Sequence, residues 1–169
     1  QLTEENANRL GAEIWNLVKN ASANEASLVS PWHLQRMTDV CNRYPTSASF
    51  NTLGIVQYRL GKFDDAILSL KKSIELRPQQ EGPNGPSSVD LIFIALCHHG
   101  LGQKEQAAEF RTQALAAVSH PTNVLDPQLQ DFLRELLVTI GGPDTVPSTA
   151  TLESFSSEGS FEGLSQHRW

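Results

Sequence analysis

Residues 53–66 read LGIVQYRLGKFDDA, and residues 94–107 read IALCHHGLGQKEQA. Set against each other, they pair Gly61 with Gly102 and Ala66 with Ala107. The same register pairs Gly54 with Ala95, Leu60 with Leu101 and Phe63 with Lys104, at a constant spacing of 41 residues. In each segment apolar residues recur at three- and four-residue steps up to a glycine and resume just after it. That rhythm marks two amphipathic helices joined by a tight turn. A glycine at the junction suits the conformation that closes a helix. Gly54 and Ala66 are small enough to let the two helices approach closely.

The same helical rhythm extends outward in both directions. From Ser47, the residues Phe50, Leu53, Ile55, Val56 and Leu60 mark the helix that ends at Gly61. Ala66, Ile67, Leu70, Ile74 and Leu76 mark its partner, which Pro78 is expected to end. Residues 79–88, QQEGPNGPSS, hold two Gly and two Pro and read as a loop. The next helix carries Val89, Leu91, Ile92, Ile94, Ala95 and Leu96. Its partner carries Ala107, Ala108, Phe110, Ala114, Leu115 and Val118, up to Pro121. Upstream, Leu10, Ile14, Leu17 and Val18 form one stripe on a helix opened near Thr3. Ser30-Pro31, an N-cap with proline at the first helical position, opens another through Trp32, Leu34, Met37, Val40 and Cys41. Downstream, Asp126-Pro127 opens a helix with Leu129, Phe132, Leu133, Leu136, Leu137 and Ile140, which stops at Gly141-Gly142-Pro143. No segment alternates with the period of a strand, so the expected fold class is all-α. The expected organisation is a helix pair over 1–46, a unit over 47–78, a loop over 79–88 and a unit over 89–121. A capping helix over 126–141 follows, its stripe covering the exposed face of the last unit, and then a Ser-rich acidic tail over 142–169.

The units over 47–78 and 89–121 resemble the tetratricopeptide repeat (TPR), whose unit is about 34 residues; the surplus fits the Gly/Pro loop. In the first, Phe50, Leu53, Gly54, Tyr58, Gly61, Phe63, Ala66, Ser73 and Pro78 fall where the family places its packing residues. In the second, Leu91, Ala95, Gly102, Ala107, Ala114 and Pro121 do so. Leu10-Gly11 extends the comparison to a degenerate unit made of helices 4–19 and 31–44, in which Val18 and His33 stand where a Gly and an Ala are expected. The run from Asn42 to Gly142 is also similar to the C-terminal TPR module that follows the kinase domain in bacterial serine/threonine kinases of planctomycete type. There, as in Asp90-Leu91-Ile92-Phe93-Ile94-Ala95 with His98 and Leu101-Gly102, the second helix leads from an Asp to a His before Leu-Gly. These resemblances imply antiparallel helix pairs in a short right-handed superhelix and a cytoplasmic setting in a larger bacterial signalling protein. The chain has no Gly-rich phosphate loop and no kinase catalytic-loop pattern, so a kinase would lie outside it. It begins with Gln1 rather than Met, and a longer parent chain is expected.

Composition narrows the partners. With 13 Lys and Arg against 19 Asp and Glu, the net charge is −6, which argues against the basic patch that a nucleic-acid partner needs. No apolar run is long enough to span a membrane. Cys97-His98-His99 suggests a metal or a thiol–imidazole pair, but consecutive helical residues diverge by about 100° and cannot converge on one ion. Cys97 and His98 therefore read as packing residues, and Cys41 and Cys97 as reduced buried thiols. No catalytic residue, metal or cofactor is expected, and the chain does not read as an enzyme.

The resemblance implies a groove on the first helix of each pair. Its expected lining is Asn8, Ala12 and Trp15, then Asn51, Ile55, Tyr58 and Arg59, then Ile92, Leu96 and His99. Trp15, Tyr58 and His99 would form a ladder suited to a peptide, or, in the plainer reading, would pack between adjacent helix pairs. The expected function is a non-catalytic interaction module that binds a peptide or protein segment, as a monomer or weak homodimer. The alternatives are a structural or dimerisation element, or an enzyme with an unrecognised site. The apolar anchors Leu152, Phe155, Phe161, Leu164 and Trp169 raise one more expectation: that the 144–169 tail docks into the groove as a competitor, rather than serving as a linker.

Overall fold

The first three helices start where a side chain satisfies a free amide of the first turn. In the computed structural model, residues 2–19, 28–80, 87–118 and 127–141 are described, with residues 78–80 described by their backbone alone. These residues form seven helices and no strand, an all-α fold: α1 (Glu4–Lys19), α2 (Pro31–Arg43), α3 (Ser47–Arg59), α4 (Phe63–Gln80), α5 (Ser88–Gly100), α6 (Lys104–Val118) and α7 (Pro127–Ile140). The 144–169 tail lies outside the described residues. Thr3 opens α1, its Oγ1 accepting from Asn6 N at 3.3 Å. Thr46 and Ser49 open α3 reciprocally: Ser49 N donates to Thr46 Oγ1 at 3.0 Å, and Thr46 N donates to Ser49 Oγ at 3.0 Å. At α2, Ser30 N donates to His33 Nδ1 at 3.1 Å. His33, which stands where the repeat pattern expects an alanine, thus serves the start of its own helix.

The two glycine turns are the same structure. Gly61 and Gly102 both have φ of +72°. Gly61 N donates to Tyr58 O and Lys62 N to Gln57 O, each at 2.9 Å. Gly102 N to His99 O and Gln103 N to His98 O repeat the pattern at the same distances. This pair of bonds is the Schellman closure, which satisfies the last carbonyls of a helix. After it, α4 packs against α3 and α6 against α5. Gly54 sets the closeness of the first pair, since a Cβ there would lie 2.6 Å from Leu70 Cγ. One boundary differs from expectation: α4 runs two residues past Pro78, to Gln80. Proline lacks the amide that would bond the carbonyl of Ile74, but a helix tolerates that loss in its last turn.

The core centres on α5, where every residue from Asp90 to His98 is buried. Cys97 packs with Ala66 and Ile67 of α4, while the His98 ring stacks on Phe110 of α6 with centroids 5.3 Å apart. Both cysteines are free and buried. Asp90 is fully buried. Its carboxylate accepts from Asn51 Nδ2 at 2.6 Å and from Ser73 Oγ at 3.2 Å, tying α5 to α3 and α4. A buried carboxylate is tolerated because it is hydrogen-bonded.

The last helix does not lie mainly on α6. Its apolar stripe, Leu129, Phe132, Leu133, Leu136 and Leu137, is buried, chiefly against α5. The outward residues of α6 explain why: Glu105, Ala108, Glu109, Thr112, Gln113 and Ala116 are exposed and polar or small, and they offer little apolar area to cover. The larger apolar surface is on α5, so burial draws α7 there.

Candidate functional site

Three helices, α1, α3 and α5, carry every residue expected to line a binding groove, and α7 divides these residues into two sets. Ile55, Ile92 and Leu96 are 0%, 0% and 1% exposed. They belong to the main core together with the α7 stripe. Phe132 of α7 stands edge-on to Trp15 of α1, centroids 6.1 Å apart, and edge-on to Phe93 of α5 at 5.0 Å. One ring thus bridges two helices far apart in sequence.

A charged clasp holds the next turn of α7. Glu135 meets the Arg59 guanidinium side by side, with Nη1 to Oε1 at 2.5 Å and Nη2 to Oε2 at 2.9 Å. Tyr58 Oη donates to the same carboxylate at 3.1 Å. The Arg59 side chain is only 7% exposed and that of Glu135 is 25% exposed, so solvent screens the pair weakly. The guanidinium also lies over the Tyr58 and Phe93 rings, 5.3 and 5.4 Å from their centroids. Burial, reinforced by the negative charge of Glu135, raises the pKa of Tyr58 well above that of a free phenol. Tyr58 therefore stays protonated and acts as a donor.

The other half of the face is open. A cleft of about 440 Å³ is lined by Asn8, Ala12 and Trp15 of α1, by Tyr44, by Asn51 and Thr52 of α3, and by Val89 of α5, among others. Asn8 and Ala12 are exposed and one helical turn apart. Asn51 borders the cleft, but its amide nitrogen is already committed to Asp90. The lining mixes amide and hydroxyl groups with aromatic and aliphatic surface, and Arg77 of α4 adds a guanidinium to it. Trp15 belongs to both halves, touching Phe132 on one side and facing the cleft on the other.

The expected ladder does not form one stack. Trp15 meets Phe132, Tyr58 meets Phe63 and Phe93, and His99 is exposed, with no ring contact among the described residues. Two participants escaped the sequence reading. Glu135 sits on the flank of a leucine stripe and was not singled out; the signal that could have found it is its place three residues after Phe132, on the same helix face. Asp90 was named only as the first residue of the pattern that carries the resemblance, with no buried hydrogen-bonding role expected for it. Among the described residues, no group of three His, Cys, Asp or Glu is placed to hold a metal ion, and no helix is long and apolar enough to cross a membrane. Compared with known proteins, the chain matches no family, no curated protein and no solved structure.

Proposed function

We propose that this chain is a non-catalytic, TPR-like interaction module that binds a peptide or protein segment on the face formed by α1, α3 and α5. In this reading it serves as a scaffold or regulatory arm of a larger bacterial signalling protein. The observation that carries it is the open cleft beside Trp15, where exposed Asn8 and Ala12 stand across from Tyr44, Thr52 and Val89. A peptide lying there would place side chains against the aromatic and aliphatic lining and hydrogen-bond to the Asn8 amide. The repeated Gly61 and Gly102 turns support the repeat architecture, since they give both helix pairs one closing geometry.

Ala12→Trp provides the test, because it fills the cleft from an exposed helical position. Peptides selected from a displayed library on the folded protein should lose binding to Ala12→Trp. The melting temperature should stay within about 2 °C, as an exposed substitution costs little. Selected peptides that bind the variant as well as they bind the parent would remove the cleft from the reading.

A further inference from the structure

The clasp on α7 carries more than a packing role. Most of α7 is held by apolar contacts that any buried helix makes, but Glu135 is held by two groups that recognise a carboxylate specifically. Arg59 presents a side-by-side fork, the geometry that selects carboxylates over point charges, and Tyr58 adds a third donor. Phe132, one turn before Glu135, fills the gap between Trp15 and Phe93. The face under α7 thus reads a short pattern on a helix: an aromatic anchor, a carboxylate three residues on, and leucines beside them.

We propose that α7 is a built-in occupant of the binding face. A partner's amphipathic helix with an aromatic anchor and a carboxylate three residues later displaces it, docking on Trp15, Phe93, Tyr58 and Arg59. This rests on the reading of the α1–α3–α5 face as a protein-binding surface, and it names the partner's chemistry. Charge complementarity selects the occupant: the Arg59 guanidinium is almost fully buried, so a helix that takes the place of α7 has to supply a carboxylate or leave that charge unpaired. The contact is a helix laid in a groove by its apolar face. Because Trp15 borders both halves, departure of α7 joins the covered face to the open cleft, and the incoming segment gains surface that α7 does not use. An in-chain competitor lowers the apparent affinity of the partner by the fraction of molecules in which α7 is docked.

A labelled peptide of residues 127–141 is the probe, titrated against the full chain and against the Glu135→Gln full chain. In the variant the resident helix loses its charged clasp while Arg59 and Tyr58 stay available to the peptide. The variant should bind the peptide about 10-fold more tightly than the parent, or better, because hydrogen bonds to a charged group are at stake. A Glu135→Gln peptide should lose a similar factor on the same variant. Equal binding to both proteins, or binding to neither, overturns the proposal. If the variant does not melt cooperatively, hydrogen exchange on the parent decides. Amides of α7 should exchange about 10-fold faster than those of α5, or more, through opening of α7 alone. Exchange of both helices at one rate overturns displacement. Light scattering that shows the parent as a dimer exchanging α7 between copies would assign the face to a second copy and overturn the partner helix. The outcomes separate the two readings: loss of library peptides on Ala12→Trp with α7 locked in place sinks this inference alone, whereas peptide exchange at α7 with no effect of Ala12→Trp sinks the cleft.

Discussion

Cys97 shows how a side chain that looks chemical becomes inert when its surroundings are apolar. Its neighbours are Ala66 and Ile67, and burial pushes its thiol from 9.0 up to about 12, with Asp64 adding to the rise. Burial likewise pushes Cys41 up to about 11. A thiolate is the reactive form, so neither cysteine should react with a disulfide reagent at pH 8 until the chain unfolds, and both should react at once in denaturant. The same shifts fix a pH dependence. Above about pH 9 the unfolded chain releases thiol protons that the folded chain keeps, so the unfolded state binds fewer protons and stability falls as pH rises. Melting temperature should therefore be insensitive to these groups below pH 9 and decline between pH 9 and about 11 to 12. Substituting both cysteines by alanine should remove the decline between pH 9 and about 10, while Tyr58, its pKa also raised by burial, keeps stability falling above that. Asp90 is the opposite case, a buried polar group whose place depends on its partners. Removing it by Asp90→Ala leaves Asn51 and Ser73 without their acceptor and should cost about 2–4 kcal/mol in a denaturant titration, the cost of unsatisfied buried polar groups plus the lost volume.

Gly61 and Gly102 set the scale of the element, because each holds a positive φ that closes one helix and starts the next. Replacing either by alanine puts a Cβ into the left-handed region, at about 1–2 kcal/mol each. Space is available at both, since nothing lies within 4 Å of the added carbon, so the cost should be nearly equal and additive across the two turns. Strongly unequal losses would mean that the turns are not equivalent. These turns were legible in the sequence for a local reason: the residues that make the bonds lie within six positions of one another. The helices were legible too, as far as their periodicity and caps reach. The seat of α7 was not. Its leucine stripe states that the helix is buried, but the surface that buries it belongs chiefly to α5, and amphipathic pattern carries no address. The groove residues divide on the same ground. Asn8, Trp15 and Asn51 line an open cleft, whereas Ile55, Ile92 and Leu96 pack beneath, because a position on an inner face says nothing of what else folds onto that face.

At the scale of the molecule, two neighbouring contacts that share the Phe93 ring add to the leucine stripe in holding α7 on the helix pairs: the Phe132 bridge and the Arg59–Glu135 clasp. Arg59→Met removes the charge but keeps much of the stem. It should destabilise by about 2–3 kcal/mol, below the ~3–5 kcal/mol of a fully buried pair because Glu135 keeps partial access to water. Adding Glu135→Gln should restore part of that loss, since no unpaired charge then remains; a double variant no better than Arg59→Met would mean that the clasp does not couple the two residues. Phe132→Ala acts on the apolar contact instead. It empties the space between Trp15 and Phe93 at about 3–5 kcal/mol, and the loss should appear as a fall in the denaturant midpoint. Ending the chain after Val118 removes both contacts at once and uncovers the side of α5 that carries Ile92, Phe93 and Leu96. An apolar face of that kind is stable in water only when covered. The shortened chain should therefore bind a hydrophobic dye and show an apparent mass in light scattering that rises with concentration, while the full chain does neither. Addition of the 127–141 peptide should reverse both effects, because it supplies the missing surface together with the carboxylate that Arg59 needs. A shortened chain that stays monomeric and dye-negative would mean that α7 is dispensable to the face it covers.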